Sequence, residues 1–226
     1  MSKQMHKDLD RLLHDVLRMA GNVEEAIQNA TLALETRNSK LAEEVLDRDD
    51  VIDRFENEVQ EECLKILALH QPVAIDLRRI GALLRIATDL ERMGDLAVGL
   101  SEIAVELARP PFPKFPTRLM PMSLRAIDMV KRSLNALVHS DAAEARIVVL
   151  MDDEVDADND AIIAEIIARM KSSSDEIDAG LALHTAVRYV ERIADHATSI
   201  AEEVIYVVQG EMVRHHPEAF QDAPAS

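Results

Sequence analysis

The sequence predicts an all-α protein made of two tandem three-helix bundles related by a pseudo-two-fold internal repeat. Three observations lead there. Aromatic residues are only 3% of the 226 and Trp is absent, so Leu, Ile, Val, Ala and Met must fill the core. Those residues suit packed helices better than sheets. Apolar residues recur at steps of three and four, and the element Glu-Arg-x-x-Asp occurs twice, at Glu91–Asp95 and Glu191–Asp195.

The first helix is the clearest. Leu9, Leu13, Val16, Ala20, Val23, Ile27, Ala30 and Leu34 alternate steps of four and three, and Leu12, Met19, Ala26 and Ala33 repeat every seven. This is a wide apolar stripe on one long helix. Asn38 and Ser39 mark a turn and an N-cap. A second stripe, Leu41, Val45, Ile52, Phe55, Val59, Ile66 and Leu69, runs until Pro72 forbids continuation. A third helix follows from Ile75 to Leu107.

Arg109 to Pro121 holds five of the eight prolines and reads as a stiff, extended linker, which Phe112 and Phe115 would pin to a bundle. Beyond it the plan repeats: one helix from Met122 to His139, another from Asp141 to Lys171, a capped turn over Ser172 to Asp178, and a last helix from Ala179 to Gln209. The expected units are thus 1–108 and 122–212, joined by 109–121 and followed by a disordered tail over 213–226. Asp49–Asp53 aligns with Asp152–Asp156 at an offset of 103, and Glu91–Asp95 with Glu191–Asp195 at an offset of 100.

The net charge of −17 repels a phosphate backbone and argues against nucleic acid as a partner. A single cysteine, Cys63, excludes an intramolecular disulfide and fits a reducing compartment as a small core residue. There is no apolar h-region at the N-terminus and no apolar run of membrane-spanning length, so a cytoplasmic protein is expected.

The acids are placed, not scattered. At about 100° per residue, Glu91 and Asp95 sit on the margin of the apolar arc Ile80, Leu83, Ala87, Leu90, Gly94 and Ala97. Glu191 and Asp195 sit at the same phase on the arc Leu183, Val187, Val190, Ala194 and Ala197. On the second helix of each unit, Asp49, Asp53 and Glu56 form a matching row, as do Asp152, Asp156 and then Asn159 or Asp160. Antiparallel packing would bring two acidic rows together in each unit. Bare carboxylates so placed repel, so either their pKa values rise or a cation neutralises them. Without thiols, the donors suit hard or borderline cations such as Mg²⁺, Mn²⁺ or iron. Each acid could alternatively pair with an Arg on a neighbouring helix. His184 lies on the Glu191 stripe, but its counterpart is Leu84; His196 points elsewhere. No Glu-x-x-His, Gly-x-Ser-x-Gly or Walker-type loop is present, so no motif supports catalysis.

Taken together, these elements resemble the PhoU family, accessory and regulatory proteins of bacterial high-affinity phosphate transport. The matching parts are the two Glu-Arg-x-x-Asp elements, the acidic stretch Asp49 to Glu56 with its repeat at Asp152 to Asp156, the run QPVAIDLR from Gln71 to Arg78, and Glu62-Cys63. They cover about Leu9 to Gln209.

The resemblance implies a cytoplasmic homodimer carrying iron or zinc clusters, with Mg or Mn less expected. Carried over by position, the ligands are Asp49, Asp53, Glu91 and Asp95 in one unit and Asp152, Asp156, Glu191 and Asp195 in the other. It implies a non-enzymatic negative regulator of phosphate homeostasis. Its partners would be the ATPase subunit of a phosphate ABC transporter and a membrane sensor histidine kinase of a two-component system, with membrane association only through those proteins. The alternative is a carboxylate-bridged metal-binding bundle with a redox or metal-storage role. Two departures between the copies bear on the sites: Ala194 stands opposite Gly94, and Asn159 opposite Glu56.

Overall fold

The computed structural model describes residues 3–110 and 113–210. Among them the chain forms seven α-helices and no strand: α1 Lys3–Thr36, α2 Ser39–Leu46, α3 Asp49–His70, α4 Ile75–Leu107, α5 Leu119–His139, α6 Ala142–Ser172 and α7 Ile177–Gln209. A 3-10 turn over Ser174–Glu176 precedes α7. The expected tail over 213–226 and Phe112 lie outside the described residues.

α1 buries the stripe its periodicity predicts, from Leu9 through Val16, Val23 and Ile27 to Leu34. It ends at Arg37, which takes a left-handed conformation (φ 54°). Asn38 then caps α2, its side-chain oxygen accepting from the Leu41 N–H at 3.2 Å.

The second stripe, expected as one helix, is two. The Asp47 N–H bonds four residues back to Glu43, but the Arg48 N–H bonds only three back to Val45, and the axis is interrupted there. Arg48 instead reaches across to α1, its Nη1 lying 2.7 Å from Glu25 Oε1. Asp49 and Asp50 then occupy the first turn of α3, where unpaired backbone N–H groups favour acidic side chains. In the second copy the positions of Asp47 and Arg48 hold Leu150 and Met151, good helix formers, and α6 runs unbroken.

Two other boundaries shift. α5 begins at Leu119, three residues before the expected start, with Pro121 inside its first turn, where no N–H is needed. α7 begins at Ile177, after Ser173 has capped the short turn. The linker is held from both sides. Arg37 Nη2 donates to the Pro113 carbonyl at 2.6 Å, and its guanidinium lies 5.1 Å from the Phe115 ring. Arg169 Nη1 donates to the Lys114 carbonyl at 2.5 Å.

α1, α2–α3 and α4 form one bundle and α5, α6 and α7 the other, with α4 packed on α7 and α1 touching α5. Their buried residues make one continuous core across both units. Each fully buried Leu, Ile, Val or Met contributes about 1.5–3 kcal/mol before the entropy of ordering is subtracted.

α4 and α7 run antiparallel. Arg85 near the start of α4 holds Glu203 near the end of α7, Nε to Oε1 at 2.6 Å and Nη2 to Oε2 at 2.5 Å. Asp89 Oδ1 lies 2.9 Å from His196 Nδ1, so His196 does point away from the acidic row. Further along, a Cβ on Gly99 would come within 2.6 Å of the Tyr189 ring, so any larger residue there would force that ring to move. No helix among the described residues is long and apolar enough to cross a membrane.

Candidate metal centre

The structure brings the eight predicted acids together as two sets of four. Asp49 and Asp53 on α3 face Glu91 and Asp95 on α4. Burial, and then the charges of Asp53 and Asp95, raise the Asp49 carboxyl above its ordinary range. Burial, followed by Asp95, Glu56 and Asp53, does the same to Glu91. Among the described residues none of Asp49, Asp53, Glu91 and Asp95 makes an ion pair, so the cross-helix Arg pairing left open by the sequence does not occur here.

Asp152 and Asp156 on α6 face Glu191 and Asp195 on α7. Here burial is deeper. Burial, with Asp195 and Asp156 next, pushes Asp152 up to about 7. Glu191 is raised by burial and by Asp195, and Asp195 by burial and by Asp156. Glu191 is only 9% exposed. Its Oε1 accepts from Arg188 Nη1 at 2.7 Å, one turn back on the same helix, which pulls its pKa the other way without overcoming burial.

Arg188 corresponds to Thr88, whose hydroxyl instead donates to Glu56 Oε1 at 3.1 Å. Gln60 Nε2 donates to the same oxygen at 2.8 Å. Glu56 is thus partnered, whereas its counterpart Asn159, 4% exposed, has an Oδ1 with no hydrogen-bond partner. Asp152 Oδ1, Glu191 Oε2 and Thr198 Oγ1 are likewise buried and unpartnered. Thr198 lies close enough to Asp152 to favour its anion, but outside hydrogen-bond geometry.

Residues 16–104 and 119–204 each match the PhoU domain family. The chain belongs to the PhoU family. It is 36% identical over 210 residues to the Deinococcus radiodurans "Phosphate-specific transport system accessory protein PhoU homolog", covering 93% of this chain and 99% of that one. Its identity to the Aquifex aeolicus protein of the same description is 38% over 212 residues, covering 94% and 96%. The crystal structure of PhoU from Pseudomonas aeruginosa superposes with a TM-score of 0.87 at 34% identity, over 91% of this chain and 99% of that one. The Streptococcus pneumoniae phosphate transport system regulatory protein PhoU gives the same TM-score at 27% identity, over 92% and 99%.

The two matched PhoU segments coincide with the two bundles, and the facing acid rows lie within them. Among the described residues no three His, Cys, Asp or Glu side chains converge on a single point that would hold one ion. The acids form open facing rows, which side-chain rotation would have to bring together. Their chemistry fits hard or borderline cations: oxygen donors only, mutually repelling, with unpartnered buried oxygens at Asp152 and Glu191.

Sequence reasoning missed Thr198 as a neighbour of Asp152. It also missed Arg85, Asp89 and Glu203, which tie the two PhoU bundles together. Thr198 lies seven residues after Glu191 and so shares its face, a signal that was available. Arg85 and Glu203 differ from their repeat partners Thr185 and Ile103, so the duplication gave no hint of them.

Proposed function

We propose that the chain is a non-enzymatic accessory protein of a phosphate-specific transport system that restrains phosphate uptake and holds off a phosphate-responsive two-component system when phosphate is plentiful. One observation carries this reading: near full-length similarity to proteins described as phosphate-specific transport system accessory proteins. The partners it requires are the transporter's ATPase subunit and a membrane sensor histidine kinase, both met at the membrane as proteins. A second copy of the chain completes the assembly.

In this reading Asp49, Asp53, Glu91 and Asp95 hold one metal cluster and Asp152, Asp156, Glu191 and Asp195 the other. Bound iron or zinc would supply positive charge that cancels the repulsion within each row. The chain's own contribution is positional. α4 and α7 carry Glu91–Asp95 and Glu191–Asp195 and are locked antiparallel by the Arg85–Glu203 and Asp89–His196 pairs. The two acidic surfaces are therefore held in one rigid relation, a suitable platform for helices of a partner.

Deleting the gene tests the function. Phosphate-starvation genes should become active in high phosphate and uptake should rise. Unchanged expression and uptake would overturn the proposal.

A further inference from the structure

The arginine of each Glu-Arg-x-x-Asp element takes no part in holding a cation, and the fold sets the two arginines about one point. The Arg85–Glu203 and Asp89–His196 pairs and the close approach of Gly99 to Tyr189 fix the register of α4 against α7. That register puts Met93 opposite Ala194 and Gly94 opposite Ile193, so the pseudo-two-fold axis of the repeat passes between them. Arg92 and Arg192 flank this axis. Both are exposed, and among the described residues neither makes a hydrogen bond or an ion pair. Their charges act on Glu91 and Asp195 only through space.

The axis emerges on an open face. α1 packs on α3 and α4, α5 packs on α6 and α7, and α1 touches α5, so α1 and α5 lie on one side of the layer α3–α4–α7–α6. The other side carries both acidic rows, and each row turns apolar towards its outer end. Leu84 and Leu77 share the Glu91 stripe at seven-residue steps, and Ile177 shares the Glu191 stripe two such steps back. Leu64 lies three turns beyond Asp53, and Leu181 lies on the Asp195 stripe. Leu64 is 63% exposed, Leu77 49%, Ile177 41% and Leu181 57%. Single exposed apolar residues need no explanation, but here they form a patch in each unit. Leu77 and Ile177 are repeat counterparts. Leu181 stands in the place of Gly81, so the second exposed side chain comes from α3 in one unit and from α7 in the other.

A second copy of the chain does not complement this face. Stacked on the same axis, it would set Arg92 and Arg192 against their own copies, like charge on like. The complement is a body with two acidic groups beside a two-fold axis and apolar surface on either side, which a pair of identical helical subunits presents. We propose that this face docks a dimeric partner on the pseudo-two-fold axis, one chain to two partner subunits. Each partner subunit sets an acidic side chain on Arg92 or Arg192 and an apolar helix surface on the Leu64–Leu77 or the Ile177–Leu181 end. The inference rests on the reading of the chain as an accessory protein that docks partner helices.

The test mixes the full-length chain separately with the detergent-solubilised phosphate transporter and with the sensor kinase of the same cell. Native mass spectrometry should find one chain per pair of ATPase or kinase subunits. Arg92→Glu and Arg192→Glu should each weaken that complex at least about tenfold, as should Leu77→Lys with Ile177→Lys. Thermal unfolding and metal content of these variants should match the parent, since the residues are exposed and are not ligands. One chain per single partner subunit, or binding indifferent to reversal of either arginine, overturns the inference and leaves the accessory reading standing. Loss of self-association in the arginine variants, with partner binding intact, assigns the face to a second copy and overturns it as well. Absence of any complex between the parent chain and either partner defeats both.

Discussion

Ile52 Cδ1 occupies the space that a side chain at Gly94 would need: a Cβ there would lie 3.0 Å from it and 3.2 Å from Ile52 Cγ2. In the second unit the same positions hold Ala194 and Val155, both fully buried. Valine lacks that δ-carbon. The Gly94-to-Ala194 departure is therefore offset by a methyl removed from the facing helix.

The pair should behave as one unit. Gly94→Ala gains about 1 kcal/mol of helix propensity but overpacks a stiff β-branched neighbour at about 1–3 kcal/mol, so alone it should be neutral or destabilising. Ile52→Val alone should cost about 0.5–1.5 kcal/mol. In the Ile52→Val background Gly94→Ala should become stabilising. Urea unfolding of the four proteins measures the coupling, expected at about 1–2 kcal/mol; simple additivity would contradict the account.

Arg85 and Glu203 should prove asymmetric in their cost. Glu203 is 9% exposed at its side chain and Arg85 42%. Arg85→Ala leaves a buried carboxylate unpaired and should destabilise by about 2–3 kcal/mol, somewhat below the range for a fully buried pair. Replacing both, Arg85→Met with Glu203→Leu, should cost less than Arg85→Ala alone. Denaturant midpoints decide it, and a double variant weaker than Arg85→Ala would count against this ordering.

Asp152 should make the metal-free protein more stable in mild acid. Its folded-state value, pushed up to about 7 from an ordinary 3.8, means that the neutral acid favours the folded chain. That contribution is complete below about pH 4 and is lost as pH rises to about 7. Asp152→Asn should therefore stabilise at pH 8, by on the order of 1–2 kcal/mol once solvent screening is allowed for, and the gain should fade towards pH 4. Equal stability of variant and parent at pH 8 would remove Asp152 as the cause.

Metal content should depend on both rows. Protein purified without chelators should carry iron or zinc, and Glu91→Ala with Glu191→Ala should lose most of it by elemental analysis. Equal content in both preparations would defeat the ligand assignment.

Most of the architecture was legible because helix packing leaves a periodic trace. The α1 stripe, the Asn38 cap and the stop at Pro72 are each local in sequence, and each stands where it was expected. The break between α2 and α3 was not legible. No Pro or Gly marks it; it comes with Arg48 reaching Glu25 on another helix. The matching phase of Glu91 and Glu191 was legible too, since phase is a property of one helix.

What the sequence determined by itself was the helical class, the duplication and which acids share a face, because all three depend on spacing along the chain. What only the tertiary structure decided was depth. Asp152 is pushed towards neutrality in the middle of a continuous α6, while its repeat partner Asp49 sits in the first turn of α3. Glu56 finds Thr88 and Gln60, while Asn159 finds only the neighbouring Asp160. Desolvation and hydrogen bonding depend on what the neighbouring helices bring, and spacing along one chain carries no record of that.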